Sequence, residues 1–176
     1  MLELAILGFL CDGSLHGYDL RKRIAALTGH VRPIADGTLY PAIKRLEAAG
    51  LLTRRLEAGS VAAPRHMLSL TEAGRARLTA LLGEPADAFI TDENHWFVLL
   101  AFLRHLDDPA AQARPLRRRL AFLTTPASFF YDGDRPLRAA DFDDPFRKGL
   151  MTIATATSRT ELAWLRETLA DLEQGG

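Results

Sequence analysis

Side chains that could bind another molecule are concentrated in residues 36–52. Thr38, Tyr40, Lys44 and Arg45 all carry hydrogen-bond donors, and the two cations follow the two hydroxyl groups at helical spacing. Proteins use donors of these types to hold the phosphate oxygens of nucleic acids. The pattern therefore predicts a phosphate-binding face on a helix, provided that the rest of the stretch can bury the opposite face.

The apolar residues of the same stretch supply that opposite face. Leu39, Ile43 and Leu46 recur at helical spacing and form one stripe. Gly50 suits the left-handed residue that follows a helix, and Leu51 can then fold back onto Leu46, which is the apolar contact of a Schellman ending. The stretch is predicted to be one amphipathic helix that ends just before Gly50.

Pro41 restricts where this helix can begin. A proline has no N–H, so it is tolerated among the first four helical positions, whose N–H groups have no partner within the helix. Gly37 or Thr38 as the N-cap satisfies this condition, whereas Asp36 as the N-cap would place Pro41 where a hydrogen bond is lost. We therefore expect Gly37 or Thr38 to be the N-cap, with free N–H groups that suit a phosphate.

Taken alone, this stretch also fits an ordinary core helix, and its flanking motifs decide between the two interpretations. Leu-His-Gly-Tyr-Asp-Leu stands at 15–20, Gly-Thr-Leu-Tyr-Pro-Ala-Ile-Lys-Arg-Leu-Glu at 37–47, Pro-Arg at 64–65 and Leu-Thr-Glu-Ala-Gly-Arg at 70–75. In this order and spacing, residues 2–82 closely resemble the PadR family of bacterial transcriptional regulators. The resemblance implies a winged helix-turn-helix DNA-binding domain, a helical C-terminal region that dimerises, and repression that a small molecule or a stress signal relieves.

The candidates for contact with operator DNA lie on this helix, before it and in the wing. The two tyrosines leave two interpretations open, because a tyrosine ring can pack in the core while its hydroxyl group reaches a phosphate at the edge. Contact with DNA is favoured for Tyr40, and for Tyr18 the two interpretations are even. The candidates are Tyr18, Gly37, Thr38, Tyr40, Pro41, Lys44, Arg45, Arg65 and His66.

Two positions depart from the pattern that is usual in the family. Asp36 stands where a small neutral residue is usual, and its charge would repel a nearby phosphate unless the side chain points away or caps the helix. After Arg65 the family usually continues with lysine and two aromatic residues, whereas this chain continues with His66 and two aliphatic residues. The wing therefore has one permanent positive charge fewer, and Arg65 becomes its best candidate for a phosphate or the minor groove.

The predicted fold class is mainly α-helical with a small β-hairpin as the wing. Helices are expected over 2–11 and 15–28, with a short turn before the helix described above. Strands are expected over 51–57 and 65–70, joined by a loop too long for a two-residue turn. A fourth helix should follow an N-cap at Thr71.

The winged helix-turn-helix DNA-binding domain is expected to end near Pro85. This gives a DNA-binding domain over 1–85 and a helical domain over 86–176 for dimerisation and, as a further candidate role, effector binding. The first range holds 11 basic and 8 acidic side chains, and the second holds 11 basic and 14 acidic. A basic front half fits a domain that contacts DNA. The helices expected in the second half lie over 87–106, 110–123 and 146–173.

Apolar residues at spacings of three and four in two of these helices predict surfaces that a second subunit or an effector would cover. One winged domain cannot cover two such seams, so we expect a homodimer. The candidates for dimerisation or effector binding are Phe89, Trp96, Phe97, Leu99, Leu103, Phe146, Leu150, Leu162, Leu165 and Leu169.

Large aromatic rings are more frequent in the second half, and they favour an aromatic effector. Most such rings fill cores and interfaces, but Phe129, Phe130 and Tyr131 lie in a loop bounded by proline and glycine, and Trp96-Phe97 places two rings on adjacent faces of one helix. We expect an aromatic small molecule to bind between the winged domain and the C-terminal helices and to release DNA.

Nothing in the sequence favours an enzyme, a cofactor or a metal site. None of the five histidines stands in a His-Glu-x-x-His motif, and neither a Gly-x-Ser-x-Gly motif nor a phosphate-binding loop is present. Asp92, Glu93 and His95 fit no standard metal spacing and are interpreted as a solvated helix start. The arginines at 117–119 are expected to pair with the acidic loop at 132–144.

Composition limits the remaining classes of protein. The 176 residues are 48% hydrophobic, carry a formal net charge of zero and include one cysteine, Cys11. This fits a folded protein of a reducing, cytoplasmic compartment, without a signal peptide, a transmembrane segment or a membrane partner. The neutral charge and Asp36 keep a second hypothesis open, namely a protein–protein adaptor that retains the winged fold without binding DNA.

Overall fold

The structure, a computed structural model, describes residues 1–28, 36–56, 66–126 and 131–174. Two compact units divide the chain, Met1–Asp107 and Asp108–Gly176. Among the described helices, none is both long and apolar enough to cross a membrane.

The first unit combines six α-helices with a small sheet in its described part. Its elements are α1 (Leu2–Asp12), β1 (Leu15–His16), α2 (Gly17–Thr28), α3 (Asp36–Ala48), β2 (Leu52–Leu56), β3 (His66–Leu70), α4 (Glu72–Gly83), α5 (Ala88–Thr91), α6 (Glu93–Phe102) and a 3₁₀ turn at Leu103–His105. Helices and strands of the expected winged fold are therefore present in the described residues, and the fold is mainly α-helical with a small antiparallel sheet.

The first helix, α1, lies at the centre of this unit. It contacts α2, α3, α4, α6 and β3. Leu4, Ile6, Leu7 and Leu10 are each at most 2% exposed, so the helix is apolar on nearly all sides rather than on one face. A helix of this kind is stable only when neighbours surround it.

Helix α3 begins earlier than expected. Asp36 is already its first helical residue, and Pro41 lies inside the helix, so the prediction of Gly37 or Thr38 as the N-cap is wrong. A proline inside a helix costs roughly 3 kcal/mol, but burying leucine and isoleucine side chains contributes about 1.5–3 kcal/mol each. Leu39 and Ile43 are 0% and 1% exposed, and their burial offsets the loss.

The end of α3 and the start of α4 follow the predictions made from local sequence. Leu51 N–H donates to Leu46 O, and Gly50, with φ +71°, donates to Glu47 O, both at 2.9 Å, which is the Schellman pattern. Thr71 caps α4 because its hydroxyl oxygen accepts from Gly74 N–H at 3.0 Å.

The sheet has three strands instead of the two of a simple hairpin. Residues 15–16 were expected to begin the second helix, but Leu15 pairs with Leu68 and His16 with Met67 in an antiparallel ladder. The strand order is β1-β3-β2. Leu68 is the buried middle residue of β3, at 2% exposed, and the first strand pairs beside it.

The boundary between the units follows Asp107 rather than Pro85. The expected helix over 87–106 is broken into α5, α6 and the 3₁₀ turn, and α6 packs on α1 and α2. A Cβ at Gly8 of α1 would overlap the ring of Phe102. Arg104 also donates to Asp12 Oδ1 at 2.6 Å. These contacts make residues 86–107 part of the first unit.

The second unit pairs two long helices. Its described elements are α7 (Pro109–Thr124), β4 (Tyr131–Asp132), β5 (Arg135–Pro136), a 3₁₀ turn at Ala139–Asp141 and α8 (Pro145–Gln174). The side of α8 that carries Leu165 and Leu169 is buried, as is Leu116 of α7, and the two helices pack side by side.

Two arginines of α7 pair with α8 rather than with the acidic loop at 132–144. Arg119 is 4% exposed and bonds to both carboxylate oxygens of Glu161, at 2.7 and 3.1 Å. Arg117 bonds to Glu173 at 2.7 Å. The expectation was wrong for these two because helix packing brings the carboxylates of α8 closest to them.

Gly74 is required where α4 passes the end of α3. A Cβ at this position would overlap the main-chain oxygen of Leu51, whereas a Cβ at Gly83 of the same helix would meet nothing. We expect Gly74→Ala to lower the free energy of unfolding by about 1–3 kcal/mol, as overpacking does. Gly83→Ala is the matched control and should leave that free energy equal or raise it. Equal urea midpoints for both variants would contradict the close approach.

Candidate nucleic-acid interface

The exposed face of α3 carries all the side chains that the sequence assigned to DNA contact on this helix. Leu39, Ala42, Ile43 and Leu46 are buried on the opposite side. Every candidate on α3 is exposed to solvent: Gly37, Thr38, Tyr40, Pro41, Lys44 and Arg45. The amphipathic pattern of the stretch is thus the reason that these groups can reach a ligand.

The two cations of α3 keep their charge available. Within the described residues, neither Lys44 nor Arg45 forms an ion pair. Glu47, the carboxylate that follows them, instead pairs with Arg54 of β2 at 3.4 Å. An external anion therefore meets no competing carboxylate bound to Lys44 or Arg45.

A cavity of about 490 Å³ lies between the start of α2, α3 and the base of the wing. It is open enough for solvent and lies beside the exposed face of α3. Its polar lining includes His16, Tyr18, Asp19, Tyr40, Arg54 and His66. Most of these side chains can donate hydrogen bonds, and Asp19 is the carboxylate among them.

Gly17 determines how Tyr40 enters this cavity. A Cβ at Gly17 would lie 3.3 Å from Tyr40 Cε1 and 3.8 Å from its hydroxyl oxygen. Glycine at the first position of α2 therefore lets the ring of Tyr40 lie against the N-terminus of that helix. The free N–H groups of a helix N-terminus favour anions.

Tyr18 also presents its hydroxyl group to solvent. It is 64% exposed, and the guanidinium carbon of Arg21 lies 5.9 Å from its ring centroid. Tyr40 is 44% exposed. Neither tyrosine is a core residue. For Tyr18, where the sequence favoured neither core packing nor ligand contact, this exposure favours contact with a ligand.

The short strand β1 and the wing hold the remaining donors in place. His16 Nδ1 lies 3.4 Å from the main-chain oxygen of His66, so the two imidazoles flank the β1–β3 pairing. Arg54 is held by Glu47, and its buried Nε has no hydrogen-bond partner among the described residues. The guanidinium is thus oriented by one carboxylate with donor capacity left.

The hydrogen-bond donors and cations of this arrangement are of the types that proteins use to hold anions. Among the described residues, no group of three histidine, cysteine, aspartate or glutamate side chains could hold a metal ion. Asp92 caps α6, and hydrogen bonds from the ring and main chain of His95 hold the pKa of its carboxyl below the usual value.

His16 and Arg54 belong to the site although the sequence did not single them out. Arg54 stands two residues after the buried Leu52, and alternation along a strand puts both on one face. That signal was present in the sequence. His16 was assigned to a helix start, and only its pairing with Met67 brings it to the cavity.

Some candidates lie outside the described residues. Arg65, Phe129 and Phe130 are among them, and so is the side chain of Asp36. His66 is described and exposed at the start of β3.

Several candidates for dimerisation or effector binding are buried inside a single chain. Trp96, Leu99 and Leu103 lie in the core of the first unit, and Leu165 and Leu169 lie in the core of the second. They are therefore corrected to core residues, because α1 and α7 already cover them. Phe89 and Leu162 are half-buried, and the exposed candidates are Phe97, Phe146 and Leu150.

Known proteins are similar to the front part of this chain in sequence. A sequence model described as the transcriptional regulator PadR-like family matches residues 6–80. The transcriptional regulator Rv3488 of Mycobacterium tuberculosis is 39% identical over 80 residues, which cover 44% of this chain and 69% of that protein. The negative transcriptional regulator PadR of Bacillus subtilis is 30% identical over 104 residues. This match covers 58% of the chain but only 56% of that relative.

Solved structures are similar to the chain over nearly its whole length. Bacillus subtilis PadR in complex with operator DNA has a TM-score of 0.46 at 22% identity, covering 96% of each chain. The same protein in complex with p-coumaric acid has a TM-score of 0.44 at 22% identity, covering 98% of each chain.

The hydroxyl groups of Tyr18 and Tyr40 can be tested without disturbing their rings. A neutral hydrogen bond contributes about 0.5–1.5 kcal/mol, so Tyr18→Phe and Tyr40→Phe should each weaken duplex DNA binding about two- to tenfold. Fluorescence anisotropy at fixed salt measures this, and Tyr131→Phe in the second unit is the matched control. If both variants bind as tightly as the control, the hydroxyl groups do not contact phosphates.

Proposed function

The chain belongs to the PadR-like family of transcriptional regulators, and from this premise we propose that it is a sequence-specific DNA-binding repressor. It acts as a homodimer on a pseudo-palindromic operator, and a small-molecule signal relieves the repression. The observation that carries the proposal is the exposed, unpaired face of α3 beside a cavity rich in hydrogen-bond donors.

The recognition helix α3 enters the major groove in this proposal. Thr38, Tyr40, Lys44 and Arg45 hold phosphates and set the orientation of the helix, as backbone contacts do in most protein–DNA complexes. The cavity beside α3 receives a backbone phosphate, with Tyr18 and Arg54 as further donors. Arg65 and His66 place the wing along the adjacent backbone.

The homodimer is proposed to form through an apolar stripe on α8, made of Phe146, Leu150, Ile153 and Trp164. These side chains are 86%, 46%, 69% and 40% exposed. Exposed apolar side chains that share one face of a helix favour a protein interface. In such a dimer the two winged domains meet successive major grooves, so half-site centres lie about one helical turn apart.

The sign of regulation follows the relative named as a negative regulator. A dimer that covers promoter DNA excludes other proteins from it, which is repression. Relief by an aromatic small molecule stays a prediction, with Phe97 as the exposed ring of the Trp96-Phe97 pair. Such a molecule must weaken the binding of the operator to the protein by a certain factor, and the operator must weaken the binding of the molecule by the same factor.

A protein–protein adaptor with a winged fold is the second candidate. The zero net charge of the chain and the carboxylate of Asp19 in the cavity favour it. The two functions differ in their response to salt. DNA binding weakens steeply as salt rises because counterions are released on binding, whereas docking of apolar helices does not.

The phosphate contacts of α3 and the wing predict a measurable change in that salt response. Lys44→Ala and Arg65→Ala should each weaken binding to operator and to unrelated duplex alike, and each should lower the salt slope by about one. The matched control is Lys148→Ala, since Lys148 is exposed on α8. Unchanged slopes in both variants would show that α3 and the wing do not face DNA as proposed.

The dimer interface can be tested on α8 alone. Ile153→Glu places a charge in the apolar stripe and should convert the dimer to a monomer in sedimentation at micromolar concentration. Ala170→Glu is the control, because Ala170 is exposed and lies about a third of a turn away from the stripe. A parent protein that is monomeric at that concentration would overturn the proposed dimer.

A further inference from the structure

A large groove in the second unit is lined by one face of α8, by the end of α7, by Tyr131 and by residues 136–139. Its volume is about 1330 Å³, and pockets for small ligands commonly have about 300–1,000 Å³. The walls are mainly apolar, with Phe122, Leu123, Leu137, Met151 and Leu162 among them. This α8 groove has room for a long apolar ligand.

The charges around the α8 groove are of one sign. Arg138, Arg159 and Arg166 line it, together with the hydroxyl groups of Thr155 and Ser158. No aspartate or glutamate is among its described lining residues. A cleft with only cationic side chains concentrates anions, so the ligand needs a negative group as well as an apolar body.

Two of these arginines are available to such a ligand. Other arginines of the unit are paired, as Arg117 is with Glu173 and Arg119 with Glu161. Asp141 accepts hydrogen bonds from the main chain of Arg138 and from the side chain of Arg135. Within the described residues, Arg159 and Arg166 have no carboxylate partner and are exposed.

The positions along α8 give the groove a polar and an apolar end. Met151 and Arg166 are fifteen residues apart, which is about 22 Å along a helix. Arg159 and Arg166 occupy the C-terminal half of this distance, and Met151 lies at the other end. A ligand with a head group at one end and an extended chain fits this order, since a guanidinium binds a carboxylate through two parallel hydrogen bonds.

A second copy of the chain is not the occupant that this geometry favours. Thr155 and Arg166 lie about 180° and 200° around the helix axis from Phe146. The α8 groove and the apolar stripe are therefore on opposite sides of α8. A dimer formed through the stripe leaves the groove uncovered, and an arginine-lined cleft suits an anion better than it suits the same surface of another copy.

We propose that the α8 groove binds a long-chain monocarboxylate of the fatty-acid type. The carboxylate pairs with Arg159 and Arg166, and the chain lies along Met151, Leu162 and Phe122. This site goes beyond the proposed DNA-binding function, since it is formed by the second unit alone. The ligand proposed for this site belongs to a different chemical class from the aromatic effector that was expected from the sequence.

The test is isothermal titration of the full-length protein with dodecanoate, below the concentration at which micelles form and without DNA. Dodecanol and dodecylamine are the neutral and cationic probes with the same chain. We expect saturable binding of dodecanoate, and at least about tenfold weaker binding of dodecanol and dodecylamine, because a charge-assisted hydrogen bond contributes more than a neutral one.

Variants separate the role of charge from the role of chain burial. Arg159→Gln/Arg166→Gln should weaken dodecanoate binding at least about tenfold and leave dodecanol binding unchanged. Thr155→Trp should weaken both by filling the groove. Arg147→Gln on the same helix is the matched control, and circular dichroism confirms that each variant is folded.

Three outcomes overturn the proposal. One is the absence of saturable dodecanoate binding to the parent protein. Another is that the parent protein and the double variant each bind dodecanoate and dodecanol with equal affinity. The third is a change of oligomeric state in the double variant without dodecanoate binding, which would assign the groove to a second copy. Because no DNA is present, none of these results bears on the DNA-binding proposal, and a loss of DNA binding does not decide the titration.

Discussion

The burial of α1 is the constraint on which the first unit depends. Its leucine and isoleucine side chains are covered by three other helices of the winged fold, by α6 and by β3. Replacing one such residue with alanine costs about 2–5 kcal/mol, a large part of the stability of a small domain. Because α3 packs on α1 and buries Leu39 and Ile43, the position of its exposed polar side chains is set by an apolar contact in which they take no part.

That contact also explains why an internal proline is tolerated in α3. Pro41 removes the hydrogen bond that would reach the main-chain oxygen of Gly37, and Gly37 is exposed, so water can satisfy that oxygen. The proline side chain itself is on the exposed face. The cost is thus confined to the solvent side of the helix, where no packing is disturbed.

Features fixed by neighbouring residues were predictable from the sequence, and features fixed by distant contacts were not. The Schellman ending at Gly50 and the cap at Thr71 each need only residues within one or two turns, and both predictions are confirmed. The start of α3, the strand at Leu15–His16 and the partner of Arg119 depend on residues far away in the sequence. Periodicity cannot show which carboxylate a packed helix brings within 3 Å.

The same distinction explains which part of the site was missed. Thr38, Tyr40, Lys44 and Arg45 share a helix, and their common face follows from spacing alone. Alternation along β2 indicates the face on which Arg54 lies, but His16 and Arg54 lie beside Tyr40 only because β1, β2 and β3 form one sheet. Without the sheet pairing, the sequence predicts the polar face of the helix but not the cavity beside it.

The distribution of ion pairs separates structural charges from charges that are available to ligands. In the second unit, Arg117 and Arg119 connect α7 to α8 through ion pairs with Glu173 and Glu161. Within the described residues, Lys44 and Arg45 on α3, and Arg159 and Arg166 on α8, have no carboxylate partner. Arg159 and Arg166 line the α8 groove, whereas Lys44 and Arg45 lie on the helix whose Tyr40 and Ile43 line the cavity of the first unit. A net charge of zero is therefore compatible with both proposed anion sites, because the local potential depends on which charges are paired and not only on their total.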